Sequence, residues 1–165
     1  MINSKIAKNV ISLELKAMQD NLIIYQNLLT NLSQEQSKLK LSKGGWTILE
    51  VICHLNDYEA IFLNRLKAVV NKNLAELPFR TEKEEKLAQS KYLTKDLVKV
   101  LKEFGSSRAK SINYISSINP NDLGKLGIHP QYGNLSLLEL ILRFSAHDVN
   151  HLKQITNILK EHNEI

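Results

Sequence analysis

Three histidines carry the sharpest chemical suggestion in this chain. His147 and His151 stand four residues apart in Ser145-Ala-His-Asp-Val-Asn-His-Leu152, and His54 lies far upstream in Ile52-Cys-His-Leu-Asn-Asp57. On a helix, residues four apart share a face, with Cβ atoms about 6 Å apart. Two imidazoles so placed can converge on one ion, and a third from a facing helix would complete a three-nitrogen site with one position left open. Asp57, three residues past His54, could orient its ring or act as a further ligand. Asp148 reads as an exposed neighbour of His147, or else as an outer partner of the site.

Plainer readings compete. A His-x3-His pair also occurs on ordinary helices, and His54 alone reads as a partly buried residue. Cys53 lies about 100° round the helix from His54, which suits a core position better than joint ligation. His129 precedes Pro130 and reads as a loop residue, and His162 reads as solvated near the C-terminus. No Gly-x-Ser-x-Gly elbow, His-Glu-x-x-His zincin motif or Glu-x-x-His di-iron pair is present.

The elements that must position these residues are helices. Apolar residues recur at helical spacing in four segments: about Ile6 to Leu32, Ile48 to Val70, Leu93 to Ile118 and Leu137 to Leu159. Each exceeds the ~12 residues at which helix is clearly preferred over strand. Pro78, Pro120 and Pro130 all fall between segments. Gly105 is interior to the third and suggests a bend there, since glycine costs ~1 kcal/mol relative to alanine. Thr47-Ile-Leu-Glu50 and Ser136-Leu-Leu-Glu139 fit the capping box, so His54 lies seven residues into its helix and His147 and His151 eleven and fifteen into theirs. Leu140, Phe144, His147, His151, Ile155 and Ile158 form one stripe, which points both histidines inward. The pattern predicts an all-α, up-up-down-down four-helix bundle, residues 1–165 forming one domain, with no strands. The charged stretch from Asn71 to Lys91 reads as a crossover along the bundle.

Composition limits the function classes. Hydrophobic residues make up 43% and charged residues 24% of 165 positions, ordinary for a globular chain. No apolar run approaches the ~20 residues that span a bilayer, so no membrane partner is expected. The net charge of +5 comes from lysines interleaved with acids, as in Thr81-Glu-Lys-Glu-Glu-Lys86, so no nucleic-acid partner is expected either. Cys53 is the single cysteine, and the N-terminus lacks an apolar signal core. A cytoplasmic location is the expectation.

In its order of motifs the chain resembles the DinB-like superfamily of bacterial four-helix bundles. The matching pieces are Trp46-Thr47, His54-Leu55-x-Asp57-x-Glu59, His129-Pro130-x-x-Gly133-x-x-Ser136-Leu137-x-Glu139-Leu140 and Ala146-His147-Asp148-x-x-His151-x-x-Gln154-Ile155. The resemblance implies that His54, His147 and His151 bind one divalent ion, Zn²⁺ or Ni²⁺. It also implies a homodimer. For activity it implies a small-molecule substrate and transfer of a low-molecular-weight thiol to an electrophile, with metal-assisted hydrolysis close behind. A non-catalytic bundle with a structural or vestigial ion is the alternative. A site open to a cleft favours the enzyme, and one sealed by apolar side chains favours the scaffold. Arg65, Arg80, Arg108 and Arg143 are equal candidates for holding substrate.

Overall fold

The computed structural model describes residues 4–165. Residues 1–3, where the reading of the N-terminus begins, lie outside the described residues. Four long helices build the bundle: α1 (Ser4–Leu29), α2 (Ile48–Asn71), α4 (Leu97–Ser116) and α5 (Leu137–Glu161), with a short α3 (Glu82–Gln89) in the crossover. Both expected capping boxes form. Thr47 Oγ1 accepts from Glu50 N–H at 3.2 Å while Glu50 Oε2 accepts from Thr47 N–H at 2.7 Å. Ser136 and Glu139 repeat the exchange at 3.2 and 2.7 Å. The third long helix starts at Leu97, later than its apolar pattern suggests, because Asp96 caps it by accepting from Lys99 N–H. It passes Gly105 without interruption.

Two core clusters fix the helix directions. One gathers Ala7 and Ile11 of α1, Leu66 and Val69 of α2, Ile115 of α4 and Leu137 and Ile141 of α5. The other gathers Tyr25 and Leu29, Ile48 and Ile52, Leu97 and Val100, and Ile155 and Ile158. One end therefore holds the starts of α1 and α5 with the finishes of α2 and α4. In chain order the helices run up-down-down-up, which corrects the up-up-down-down expectation. Apolar periodicity carries no direction; the links set it. Residues 30–47 join two helices at the same end, whereas residues 72–96 must climb the bundle to bring α4 back to the start of α2.

The expectation of no strands also needs correction. β1 (Ala75–Glu76), β2 (Leu126–His129) and β3 (Gly133–Ser136) form a small sheet, with β1 parallel to β2 and β2 antiparallel to β3. Strands of two to four residues are too short to show alternation. Two glycines make the sheet possible. Gly133 turns the hairpin at φ +70°, and a Cβ on Gly127 would sit 2.5 Å from Leu77 Cδ2 and 2.7 Å from Val69 Cγ2. The sheet places His129 in β2, buried, and not in a loop.

A buried ionic network pins the helices together at mid-height. Arg108 on α4 donates from Nε to Glu59 Oε1 on α2 at 2.7 Å, and from Nη1 and Nη2 to the two oxygens of Asp148 on α5 at 2.6 and 2.8 Å. Arg108 Nη1 also reaches Met18 O of α1 at 3.0 Å. Asp148 is therefore not exposed; it is 1% accessible. It sits on the side of α5 that meets α1 and α4, a second buried face that the single apolar stripe did not reveal.

Candidate metal centre

The three histidines do come together. His54 descends from the α2 cap, His147 and His151 share one face of α5, and the ligating nitrogens all lie within 4.8 Å of one another. His147 Nε2 stands 3.2 Å from His54 Nε2 and 3.2 Å from His151 Nε2. Nitrogens bound tetrahedrally at about 2.0–2.1 Å to one ion would be about 3.3 Å apart, so the two 3.2 Å separations suit a shared cation, around which His54 and His151, within 4.8 Å of each other, would close.

The outer partners make the same case. His54 Nδ1 is 2.9 Å from Glu85 Oε1, and His151 Nδ1 is 3.0 Å from Gln154 Oε1. Each oxygen is an acceptor, so each Nδ1 carries the proton and each Nε2 presents a lone pair inward. The two lone pairs of His54 and His151 converge beside His147 Nε2, an arrangement suited to a cation. Burial also keeps the rings neutral: it pushes His54 down to about 3 and His147 down to about 2, each helped by the neighbouring imidazoles, and it lowers His151 as well. Trp46, Tyr58 and Phe62 surround the cluster. Trp46 meets His54 at 4.8 Å and stacks on His151 at 6.4 Å, and Tyr58 stacks on His147 at 5.2 Å. These rings lower the polarity around the cluster and strengthen electrostatic interactions within.

Asp57 is the orienting partner that the spacing suggests for His54. The structure gives Asp57 to other partners: its Oδ2 accepts from Arg80 Nη2 at 3.1 Å and from the Tyr92 hydroxyl at 2.8 Å. Glu85 on α3 takes the orienting role instead, and its second oxygen accepts from Arg80 Nη1 at 3.3 Å. Nothing local in the sequence marks Glu85, because the crossover brings it in. Gln154 did carry a signal, three residues past His151 on the same helical face. Cys53 is a buried core residue, as expected, and burial raises its thiol to about 12. His162 lies at the exposed end of α5, its Nε2 2.9 Å from Lys40 O.

Glu85→Ala tests the outer partner. Losing such a group costs about 10–100-fold in metal affinity, and that is the expected weakening of zinc binding in competition with a chelating dye. Equal affinity for the variant would remove Glu85 from the site.

The cluster is reached from outside. A cleft of about 240 Å³ is lined by His54 and His147, by Tyr58, Phe62, Phe79 and Tyr132, and by Arg65, His129, Gln131 and Arg143. Among the described residues, no Asp or Glu lines it. A larger depression of about 620 Å³ between α1 and α4, near Ile11 and Ile115, holds no cluster of ligating groups. Chemistry, not size, singles out the histidine cleft. Of the arginine candidates, Arg65 and Arg143 line it, Arg80 flanks it behind Glu85, and Arg108 is committed to the buried network.

Comparison with known proteins shows the family and the fold. Residues 17–155 match the model of the DinB superfamily. The chain is 31% identical over 129 residues to a Bacillus mycoides protein named "Putative metal-dependent hydrolase", a match covering 78% of this chain and 73% of that one. A Bacillus cereus protein of the same name is 31% identical over 134 residues, 81% of this chain and 76% of that one. YfiT from Bacillus subtilis, a four-helix bundle of unusual topology, superposes with a TM-score of 0.84 at 15% identity, over 99% of this chain and 91% of that one. The mycothiol-dependent maleylpyruvate isomerase superposes at 0.73 and 13% identity, over 88% of this chain and 60% of that one. At such identities the two structures speak to the fold.

Proposed function

The chain belongs to the DinB superfamily, and from that premise we propose that it is a metal-dependent enzyme joining a low-molecular-weight thiol to a small electrophile. His54, His147 and His151 are the proposed ligands, and Zn²⁺ or Ni²⁺ the proposed ion. The observation that carries this reading is a three-imidazole cluster on the wall of an open cleft that contains no carboxylate. A scaffold with a structural ion would have no use for that opening.

The missing carboxylate bears on the choice of reaction. A divalent ion held by the three nitrogens supplies a Lewis acid that lowers the pKa of a bound thiol. A free thiol ionises near 8.5, so it needs no further base. A bound water would likewise come down from about 15.7 to about 7, but attack of water on an ester or amide must in addition deliver a proton to the leaving group, which profits from a positioned acid–base group. The cleft offers none: Glu85 is engaged by His54 and Arg80, and His129 Nδ1 already accepts from Gln131 N–H at 3.1 Å. The chain's own residues hold and exclude. Glu85 and Gln154 keep the protons on the outer nitrogens of His54 and His151, while Trp46, Tyr58 and Phe62 restrict water to the cleft side of the cluster. In the reaction the thiol sulfur bonds to the electrophilic carbon, the leaving group departs with the bonding pair, and the thiol proton passes to solvent.

Hydrolysis is the second reading, supported by the names of the relatives at 31% identity. One experiment separates the two. Zinc-loaded and nickel-loaded chain is given an alkyl halide with and without a small thiol, and in parallel a panel of esters and amides. Thiol-dependent halide release, lost in His147→Ala, is the expected result. Ester or amide cleavage without any thiol would establish hydrolysis instead.

A further inference from the structure

The histidine cleft contains cationic and donor groups that, among the described residues, form no ion pair with a carboxylate. Arg65 is 6% accessible. Its Nε donates to Pro78 O at 2.8 Å, and its guanidinium lies 5.5 Å from the Phe62 ring centre. No carboxylate pairs with it among the described residues, and its two terminal nitrogens have no hydrogen-bond partner. Among the described residues Arg143, half-buried on α5, has no carboxylate within ion-pair distance, although its charge, after the hydrogen bonds from Ser136, helps to lower the pKa of Glu139 one turn earlier; it rests 4.7 Å from the Tyr132 ring centre. The two guanidinium groups are close enough that the charge of Arg143, after burial, helps to lower the pKa of Arg65. His129 completes the set. Its Nδ1 accepts from Gln131 N–H, so in the neutral ring Nε2 carries the proton and donates.

A buried charge without a partner is costly, yet the fold places two like charges together here. Elsewhere it neutralises its arginines with care: Arg108 has Glu59 and Asp148, and Arg80 has Asp57 and Glu85. Among the described residues, no fully enclosed polar side-chain atom lacks a partner. The free ends of Arg65 and His129 are therefore open to the cleft they line. Guanidinium groups present paired N–H donors that match the two oxygens of a carboxylate or phosphate. Around them Phe62, Phe79 and Tyr132 suit an apolar or aromatic body.

We propose that the cleft takes a small molecule bearing an oxyanion, whose negative end docks on Arg65, Arg143 and His129 Nε2. The proposal deepens the reading above by naming the substrate class of the same cleft, and it rests on that reading for the reaction that follows docking. Arg65 and Arg143 supply the missing half of two ion pairs, and the substrate supplies the other. Anchored there, the molecule has its far end within the same small cavity as His54 and His147.

The test uses benzoate, its neutral isostere benzamide, and phenyl phosphate as probes. Binding to the full chain is followed by titration calorimetry at fixed ionic strength, both with zinc and after chelation. Benzoate or phenyl phosphate should bind at least tenfold more tightly than benzamide. Preference for phenyl phosphate would define the oxyanion as phosphate, and preference for benzoate as carboxylate. Arg143→Met should abolish the preference for the anion and leave benzamide unchanged. Arg65→Met should do the same, and Arg143 serves as the primary variant because it is less buried and holds no backbone carbonyl. The preference should persist in chelated protein and in His147→Ala, which separates it from the metal. A chain that holds no zinc yet keeps the anion preference would defeat the proposed reaction and uphold this site. Equal binding of benzoate and benzamide, anion binding indifferent to Arg143→Met, or anion binding that vanishes with the metal would each overturn it.

Discussion

Replacing His147 with alanine should abolish tight zinc binding. His147 Nε2 is the common neighbour of the other two nitrogens, 3.2 Å from each. Its removal leaves two rings that face a gap. The loss should exceed the about 10–100-fold expected for an outer partner such as Glu85, and zinc content should fall from about one ion per chain to a trace, read by elemental analysis after dialysis. His54→Ala and His151→Ala should also weaken binding strongly. Unchanged zinc content in His147→Ala would end the three-histidine assignment.

The same rings set an acid limit on the metal-free chain. Burial holds His54 at about 3 and His147 at about 2 in the folded protein, whereas each returns to about 6.5 on unfolding. Between those values the unfolded chain binds more protons than the folded one. Stability is therefore complete above about 6.5 and is lost as pH falls toward 3, on the order of 2 kcal/mol per ring at pH 5. An ion on the neutral nitrogens binds only the folded form and opposes protonation further. Acid unfolding followed by circular dichroism should move to lower pH when zinc is present. Coincident transitions would show that zinc does not bind these rings.

What the sequence shows of this site follows from the range over which its parts interact. The capping boxes are exchanges between residues three apart, and His147 and His151 meet one turn apart, so both are visible in the string. His54 takes its depth from Thr47, which is local too. The Glu85 partner of His54 arrives from 31 residues away on the crossover. Arg65, His129 and Arg143 meet only because the β2–β3 hairpin folds back beside α2 and α5. No spacing rule joins such residues. Asp57 is drawn away from His54 by Arg80 and Tyr92 of the same crossover. Asp148 is buried because α5 packs against more than one helix, and a single apolar stripe describes only one of those contacts. Helix direction was hidden as well, since periodicity reads the same both ways and only the crossover tells which end α4 starts from.

Removing Arg108 should be the most destabilising single change outside the apolar core. It would leave Glu59 and Asp148, 3% and 1% accessible, without their cation. Breaking a buried pair by deleting one partner typically costs about 3–5 kcal/mol, a large share of the ~5–15 kcal/mol that holds a domain folded. At about 2–4 °C per kcal/mol for a chain of this size, Arg108→Met should melt roughly 6–20 °C lower. The penalty belongs to the stranded carboxylates, not to any net attraction in the network. Replacing Glu59 and Asp148 by leucine in the same background should therefore recover much of the loss, because well-packed apolar groups often substitute for buried ion pairs. The network also sets the rotation of α5, since Asp148 lies between His147 and His151 and its backbone carbonyl accepts from Tyr25 at 2.6 Å. The stabilised triple variant should thus keep its fold yet bind zinc more weakly than the native chain, as a small turn of α5 moves both imidazoles at once. Native zinc affinity in that variant would show that apolar packing alone aims the two rings, and an unchanged melting point in Arg108→Met would show that the network carries no such burden.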